Sequence, residues 1–168
     1  MANNVKTKKE YNNNHRTNPW MYSIHIGFFA GIIWGTVRWL FYQMKFTTEL
    51  PGFAADPFFQ ESFLKTFWGV IIGIASFAIL SIVAALLYKM VPWHMRGPWP
   101  GILYGLVWWA IIFVGLGPWI GMTERITKAG WNTLYTELCV FLLWGAFIGY
   151  SITFEFMDEA SREPVKMH

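Results

Sequence analysis

The stretch TFWGVIIGIASFAILSIVAALLY, residues 66–88, holds 23 residues without a charge and is bounded by Lys65 and Lys89. An α-helix rises 1.5 Å per residue, so about 20 apolar residues cross the roughly 30 Å of bilayer hydrocarbon. This run is therefore read as a transmembrane helix. Two more runs of the same kind lie downstream. Residues 97–123 are 27 long between Arg96 and Glu124, and residues 138–154 are 17 long between Glu137 and Glu155. A fourth, 20–44, carries only His25 and Arg38 among otherwise apolar or neutral residues.

Composition agrees. Of 168 residues, 55% are hydrophobic and 20% aromatic, whereas only 14% are charged. An average soluble domain carries about 25% charged residues, and one this small has no interior for so much apolar surface. The expected fold is all-α, a polytopic four-transmembrane-helix bundle. The expected boundaries are a disordered cytoplasmic tail 1–18, a transmembrane domain 19–157 with helices at about 20–44, 57–90, 98–120 and 133–157, and a second cytoplasmic tail 158–168. Asp56-Pro57 reads as a cap followed by proline at the first helical position, which sets the early start of the second helix. Gly117-Pro118 is expected to kink or end the third. The polar leader and the long first run give no signal-peptide pattern.

Orientation follows the bias of Lys and Arg toward cytoplasmic loops. Lys6, Lys8, Lys9, Arg16, Lys89, Arg96, Arg162 and Lys166 lie on the side of the two termini, and Lys45, Lys65, Arg125 and Lys128 on the other. Both termini are thus expected in the cytoplasm. The basic, Asn-rich tail is read as attracted to anionic lipid rather than to nucleic acid.

Two strings recur. Residues 31–39 (GIIWGTVRW) and 101–109 (GILYGLVWW) share five of nine positions at an offset of 70, and 68–73 (WGVIIG) and 144–149 (WGAFIG) share four of six at an offset of 76. A duplicated parallel helical hairpin would produce this. Such a repeat occurs in some transporters but does not by itself imply transport. Small residues recur at every fourth position: Gly27, Gly31 and Gly35; Gly69 and Gly73; Gly97, Gly101 and Gly105; Gly145 and Gly149. In lipid the hydrophobic effect does not drive helices together, so close backbone approach at glycine is the expected packing device. Several Trp residues near the predicted helix ends suit interfacial anchoring.

Few residues could carry chemistry. A charge within a membrane helix is costly and is expected to be paired. Arg38 should lie near the outer boundary, level with Glu61 and Glu137, where it either pairs with one of them or snorkels to phosphate headgroups. A second pair, His25 with Glu155, is conceivable at the inner level as a proton-sensitive contact. A histidine bonded to a nearby carbonyl is the plainer reading. The four histidines show no metal-ligand spacing, and the chain lacks the Ser, Zn-protease and phosphate-loop signatures. Cys139 stands alone, so no intramolecular disulfide is possible. No catalytic group, metal or cofactor is expected.

The segment 27–39, GFFAGIIWGTVRW, and the segment 94–105, HMRGPWPGILYG, resemble the YqhR family of conserved membrane proteins of Bacillus and its relatives. The likeness would cover residues 18–157. It implies a bacterial plasma-membrane location, and it carries no site residues with it. The functional expectation is a structural or accessory membrane protein acting through helix–helix contacts, with a membrane-protein partner or a second copy of itself. The alternative is a small transporter or channel built from the duplicated hairpin, with Arg38, Glu61 and Glu137 at its outer mouth.

Overall fold

Asn18 starts the first helix by accepting a hydrogen bond on its side chain from the Trp20 amide at 3.2 Å, and Pro19 follows at the first helical position, where its missing N–H costs nothing. In the computed structural model, residues 18–90, 98–123 and 130–162 are described, with Pro19, Glu61 and residues 156–162 by backbone alone. Among the described residues, four helices are long and apolar enough to cross a membrane. They are α1 (Pro19–Gln43), α2 (Phe67–Met90), α3 (Trp99–Ile120) and α4 (Trp131–Arg162). The predicted tail 1–18 lies outside the described residues but for Asn18. The last helix continues to Arg162, past the predicted end at 157.

Consecutive helices form two antiparallel hairpins, α1 with α2 and α3 with α4. A side chain at Gly31 would land on the Ala78 backbone, and one at Gly27 would come within 2.6 Å of the Ile82 Cα. In the other hairpin the glycines meet each other. A Cβ on Gly145 would lie 2.5 Å from the Gly101 carbonyl oxygen and 2.5 Å from the Gly105 Cα. The two hairpins thus close on glycine at different registers. Gly69 and Gly73, which align with Gly145 and Gly149 in the sequence strings, have their nearest neighbours outside α1. Gly73 takes Gly52 of the first loop, and Gly69 takes the backbone of Phe63 and Leu64.

α4 holds the hairpins together, touching α1, α2 and α3. Trp144 is fully buried at its centre, with rings of Phe141, Phe77 and Trp108 at 5.5, 5.9 and 6.2 Å. Its indole N–H donates to the Ser81 hydroxyl at 2.9 Å, so the polar end of a buried Trp is satisfied. Toward the termini, Tyr104 donates to the Ala84 carbonyl at 2.6 Å and Tyr22 to the Ser151 carbonyl at 3.4 Å. The Lys89 ammonium sits 3.5 Å over the Trp20 ring, tying the start of α1 to the end of α2.

α3 does not break at Gly117-Pro118. A proline has no N–H to offer the carbonyl four residues back, and its ring crowds that oxygen. The preceding residues Ala110–Leu116 widen into a π-helical stretch, and α-helix resumes at Gly117–Ile120. Gly117 is required there, because a Cβ would strike the Ile112 carbonyl. Gly121, at φ 83°, then ends the helix in the left-handed region that glycine favours.

The second helix begins ten residues later than the Asp56-Pro57 signal suggested. The cap is Thr66, whose hydroxyl accepts from the Gly69 amide at 3.2 Å and donates to the Phe63 carbonyl at 2.6 Å. Asp56-Pro57 instead lies in turns after the short 3-10 turn Phe53–Ala55, followed by a single helical turn Glu61–Leu64. The reason lies upstream. Met44 caps α1 and Lys45 adopts φ 60°, while Lys45 N–H reaches the Tyr42 carbonyl at 3.0 Å and Phe46 N–H the Phe41 carbonyl at 2.9 Å. This double closure, with the Phe41 and Phe46 rings 5.9 Å apart, turns the chain back over the helix end. The loop then enters the bundle. Thr47, Glu49, Leu50, Gly52, Phe53 and Ala55 are all buried.

Adding one methyl where helices touch backbone to backbone should therefore be costly. Gly105→Ala is expected to destabilise the protein by about 1–3 kcal/mol, because the Cβ would meet the Phe141 carbonyl. Gly115→Ala, which faces open space apart from one contact at 3.9 Å, should cost almost nothing. Unfolding by sodium dodecyl sulfate in mixed micelles compares them; equal stability would contradict the packing described.

Candidate functional site

Arg38 lies one and a half turns before the end of α1, and Glu137 lies six residues, about 9 Å, into α4. The antiparallel course of these helices brings the two side chains face to face. Arg38 Nε donates to Glu137 Oε2 at 2.9 Å and Nη2 donates to Oε1 at 3.0 Å. This is the bidentate arrangement in which a planar guanidinium matches a carboxylate. Both residues are nearly inaccessible, at 2% and 1% exposure.

The first loop builds the rest of the site. Thr47 donates its hydroxyl to Glu137 Oε1 at 3.0 Å and accepts the Glu49 amide at 3.2 Å. Beside it, the Thr48 amide donates to the Thr133 hydroxyl at 3.2 Å. Phe53 slides its ring under the guanidinium, 4.1 Å from the Arg38 Cζ, and Phe77 of α2 lies 5.5 Å away. The cation thus rests against aromatic faces on one side and a carboxylate on the other. Its third nitrogen, Nη1, is buried without a hydrogen-bond partner. Non-helical backbone inside a membrane is tolerated only where protein buries it, and Thr47, Leu50, Gly52 and Phe53 of this loop are buried.

The sequence pointed to Arg38 with Glu61 or Glu137, and the structure pairs it with Glu137. Glu61 opens the short turn after the loop, and its side chain lies outside the described residues. His25 and Glu155 are not brought together. The exposed His25 donates from Nδ1 to the Met21 carbonyl of its own helix at 2.7 Å, a partner available one turn away. Tyr22 makes the contact to α4 at that level instead. Cys139 is exposed. Among the described residues, no three His, Cys, Asp or Glu side chains are grouped as a metal site would need. Thr47, Phe53 and Phe77 were not singled out from the sequence. A turn sequence followed by Phe carried no signal that the loop folds inward.

Four spanning helices, closed at one end by an in-folded loop over a buried arginine–glutamate pair, define a multi-pass α-helical membrane protein. Comparison with known proteins narrows the class. The chain belongs to the YqhR family: residues 3–166 match the family described as conserved membrane protein YqhR. It is similar to the uncharacterized protein YqhR of Bacillus subtilis (strain 168), with 35% identity over 132 residues, 79% of this chain and 74% of that protein. No solved structure matches it.

Removing one partner of a buried ion pair strands the other charge and costs about 3–5 kcal/mol, whereas replacing both by apolar groups is often nearly neutral. Arg38→Gln and Glu137→Gln are each expected to lose stability on this scale. The double variant Arg38→Met with Glu137→Leu should lose far less than the two single losses added together. Unfolding in bicelles measures all three. Single variants as stable as the wild type would remove the pair as a source of stability.

Proposed function

We propose that this protein is a non-catalytic structural or accessory protein of the bacterial plasma membrane, acting through helix–helix contacts with another membrane protein or with a second copy of itself. The observation that carries the reading is the sealing of the Arg38–Glu137 pair. A group that binds a transported ion or a substrate must meet it, yet these side chains are 2% and 1% exposed beneath the loop. Their geometry matches each other rather than a cargo.

The glycine faces are spent within the chain, on α1 with α2, on α3 with α4, and on the first loop. A partner would therefore meet the outward aromatic and branched side chains, such as Phe28, Phe29, Ile32 and Ile33 of α1. Such a surface packs equally well against lipid, so the partner would be selected by shape.

Native mass spectrometry of the protein carried from its own membrane into nanodiscs tests the proposal. A second protein or a second copy at fixed stoichiometry is the expected result. A monomer alone, joined with ion flux in proteoliposomes that Glu137→Gln alters, would overturn it in favour of transport.

The Lys and Arg distribution supports cytoplasmic termini. In a Cys139→Ser background, a membrane-impermeant maleimide applied to intact cells is expected to label Thr127→Cys and to spare Ala2→Cys. The reverse pattern would invert the topology.

A further inference from the structure

The first loop does not stay above the ends of the helices it joins. Gly52 packs on Gly73 so closely that a Cβ on Gly73 would lie 2.7 Å from the Gly52 Cα. Gly73 is six residues, about 9 Å, below the start of α2. The Phe53 ring lies 6.1 Å from the ring of Phe77, a residue about 15 Å below that start. α2 has 24 residues and so a length of about 36 Å. Roughly 30 Å of hydrocarbon centred on it begins about 3 Å below Phe67, above both contacts.

The backbone of the loop suits that depth. Hydrocarbon offers no water, so each N–H within it needs an acceptor in the protein. The amides of Phe53, Ala55 and Asp56 donate to the carbonyls of Leu50, Gly52 and Phe53, and those of Phe58 and Phe59 both donate to Ala55. Pro57 has no N–H to satisfy. Phe53 and Ala55 are buried against the bundle, while the next aromatics turn outward. Phe58 is 81% exposed, and with Phe59 it stands beside Ile72, Ala75 and Ile79, on the second to fourth turns of α2. The exposed Ile71, Ile79 and Val83 continue this apolar surface along the spanning helix.

We propose that the first loop is re-entrant: it dips into the leaflet at its own end of the bundle, lays Phe58 and Phe59 against lipid acyl chains, and returns to start α2. Protein on one side and lipid on the other then hold the cover over Arg38 and Glu137 in place. Lifting that cover would carry two Phe rings out of hydrocarbon into water.

The test uses the full chain in a Cys139→Ser background, reconstituted in liposomes of phosphatidylethanolamine and phosphatidylglycerol. A nitroxide is attached at Phe58→Cys, at Ile79→Cys as the lipid-facing control, and at Thr127→Cys, between the third and fourth spans, as the aqueous control. Electron paramagnetic resonance power saturation compares collision with oxygen, which concentrates in hydrocarbon, and with a water-soluble nickel chelate. Water and its solutes are excluded from hydrocarbon, so the oxygen-to-nickel ratio at Phe58→Cys should exceed that at Thr127→Cys by about tenfold and approach that at Ile79→Cys. Circular dichroism and thermal unfolding report folding of each variant. Should Phe58→Cys not fold, Phe59→Cys replaces it. A ratio equal to that of Thr127→Cys would place the loop in water and overturn the proposal. So would a label shielded from both reagents, which would mean that a second copy of the chain covers these rings instead of lipid.

Discussion

An arginine and a glutamate lie side by side where neither water nor lipid headgroups reach them, and either would be intolerable there alone. A charge in low dielectric loses its hydration, and only an opposite charge with well-aligned hydrogen bonds compensates. The bidentate contact between Arg38 and Glu137 meets that condition, and much of the surrounding structure follows from it. The carboxylate has lone pairs beyond those the guanidinium uses, and Thr47 takes one. The guanidinium has an apolar face, and Phe53 covers it. Both come from the first loop, so the loop must fold inward. The inward course explains the left-handed Lys45, the late start of α2 and the contact of Gly52 with Gly73.

The remainder of the bundle answers a different constraint. Lipid tails are as apolar as leucine, so burial alone gives helices no reason to associate. Two devices replace it. Backbones touch at glycine in both hairpins, which maximises dispersion contact. Between hairpins, buried polar groups find partners: the Trp144 indole N–H donates to the Ser81 hydroxyl and the Tyr104 hydroxyl to the Ala84 carbonyl. The aromatic cluster around Trp144 fills the space that remains.

The spans were legible because a charge-free run long enough to cross hydrocarbon needs only composition to be seen. That Arg38 must find an anion was legible for the same reason, since a charge in such a helix is costly alone, but an acid of the bundle and a lipid headgroup both met that need. Which acid it takes was not, because Glu61 and Glu137 stand at similar depths on the chain and only the tertiary course of the loop separates them. Asp56-Pro57 has the chemistry of a helix start, but the residues before it are buried, and Thr66 supplies the cap instead. His25 and Glu155 were matched by depth alone, and a carbonyl one turn away is always nearer. The recurring strings are real in the sequence, yet their glycines make different contacts in the two halves.

The Arg38–Glu137 pair joins residues 99 positions apart, and that separation has a consequence for biogenesis. A ribosome adds about 5–20 residues per second, so α1 waits about 5–20 s before its counter-ion exists. During that time the arginine must be held by a headgroup, by water or by the insertion machinery, at a cost below the roughly 2.5–3.5 kcal/mol that a charge at a helix centre carries on the insertion scale, because it lies near the helix end. The loop cannot settle either, because Thr47 and Thr48 bond to residues of α4. Completion of the last helix therefore completes the first, and a chain truncated before Glu137 would present an unfinished α1 to membrane quality control.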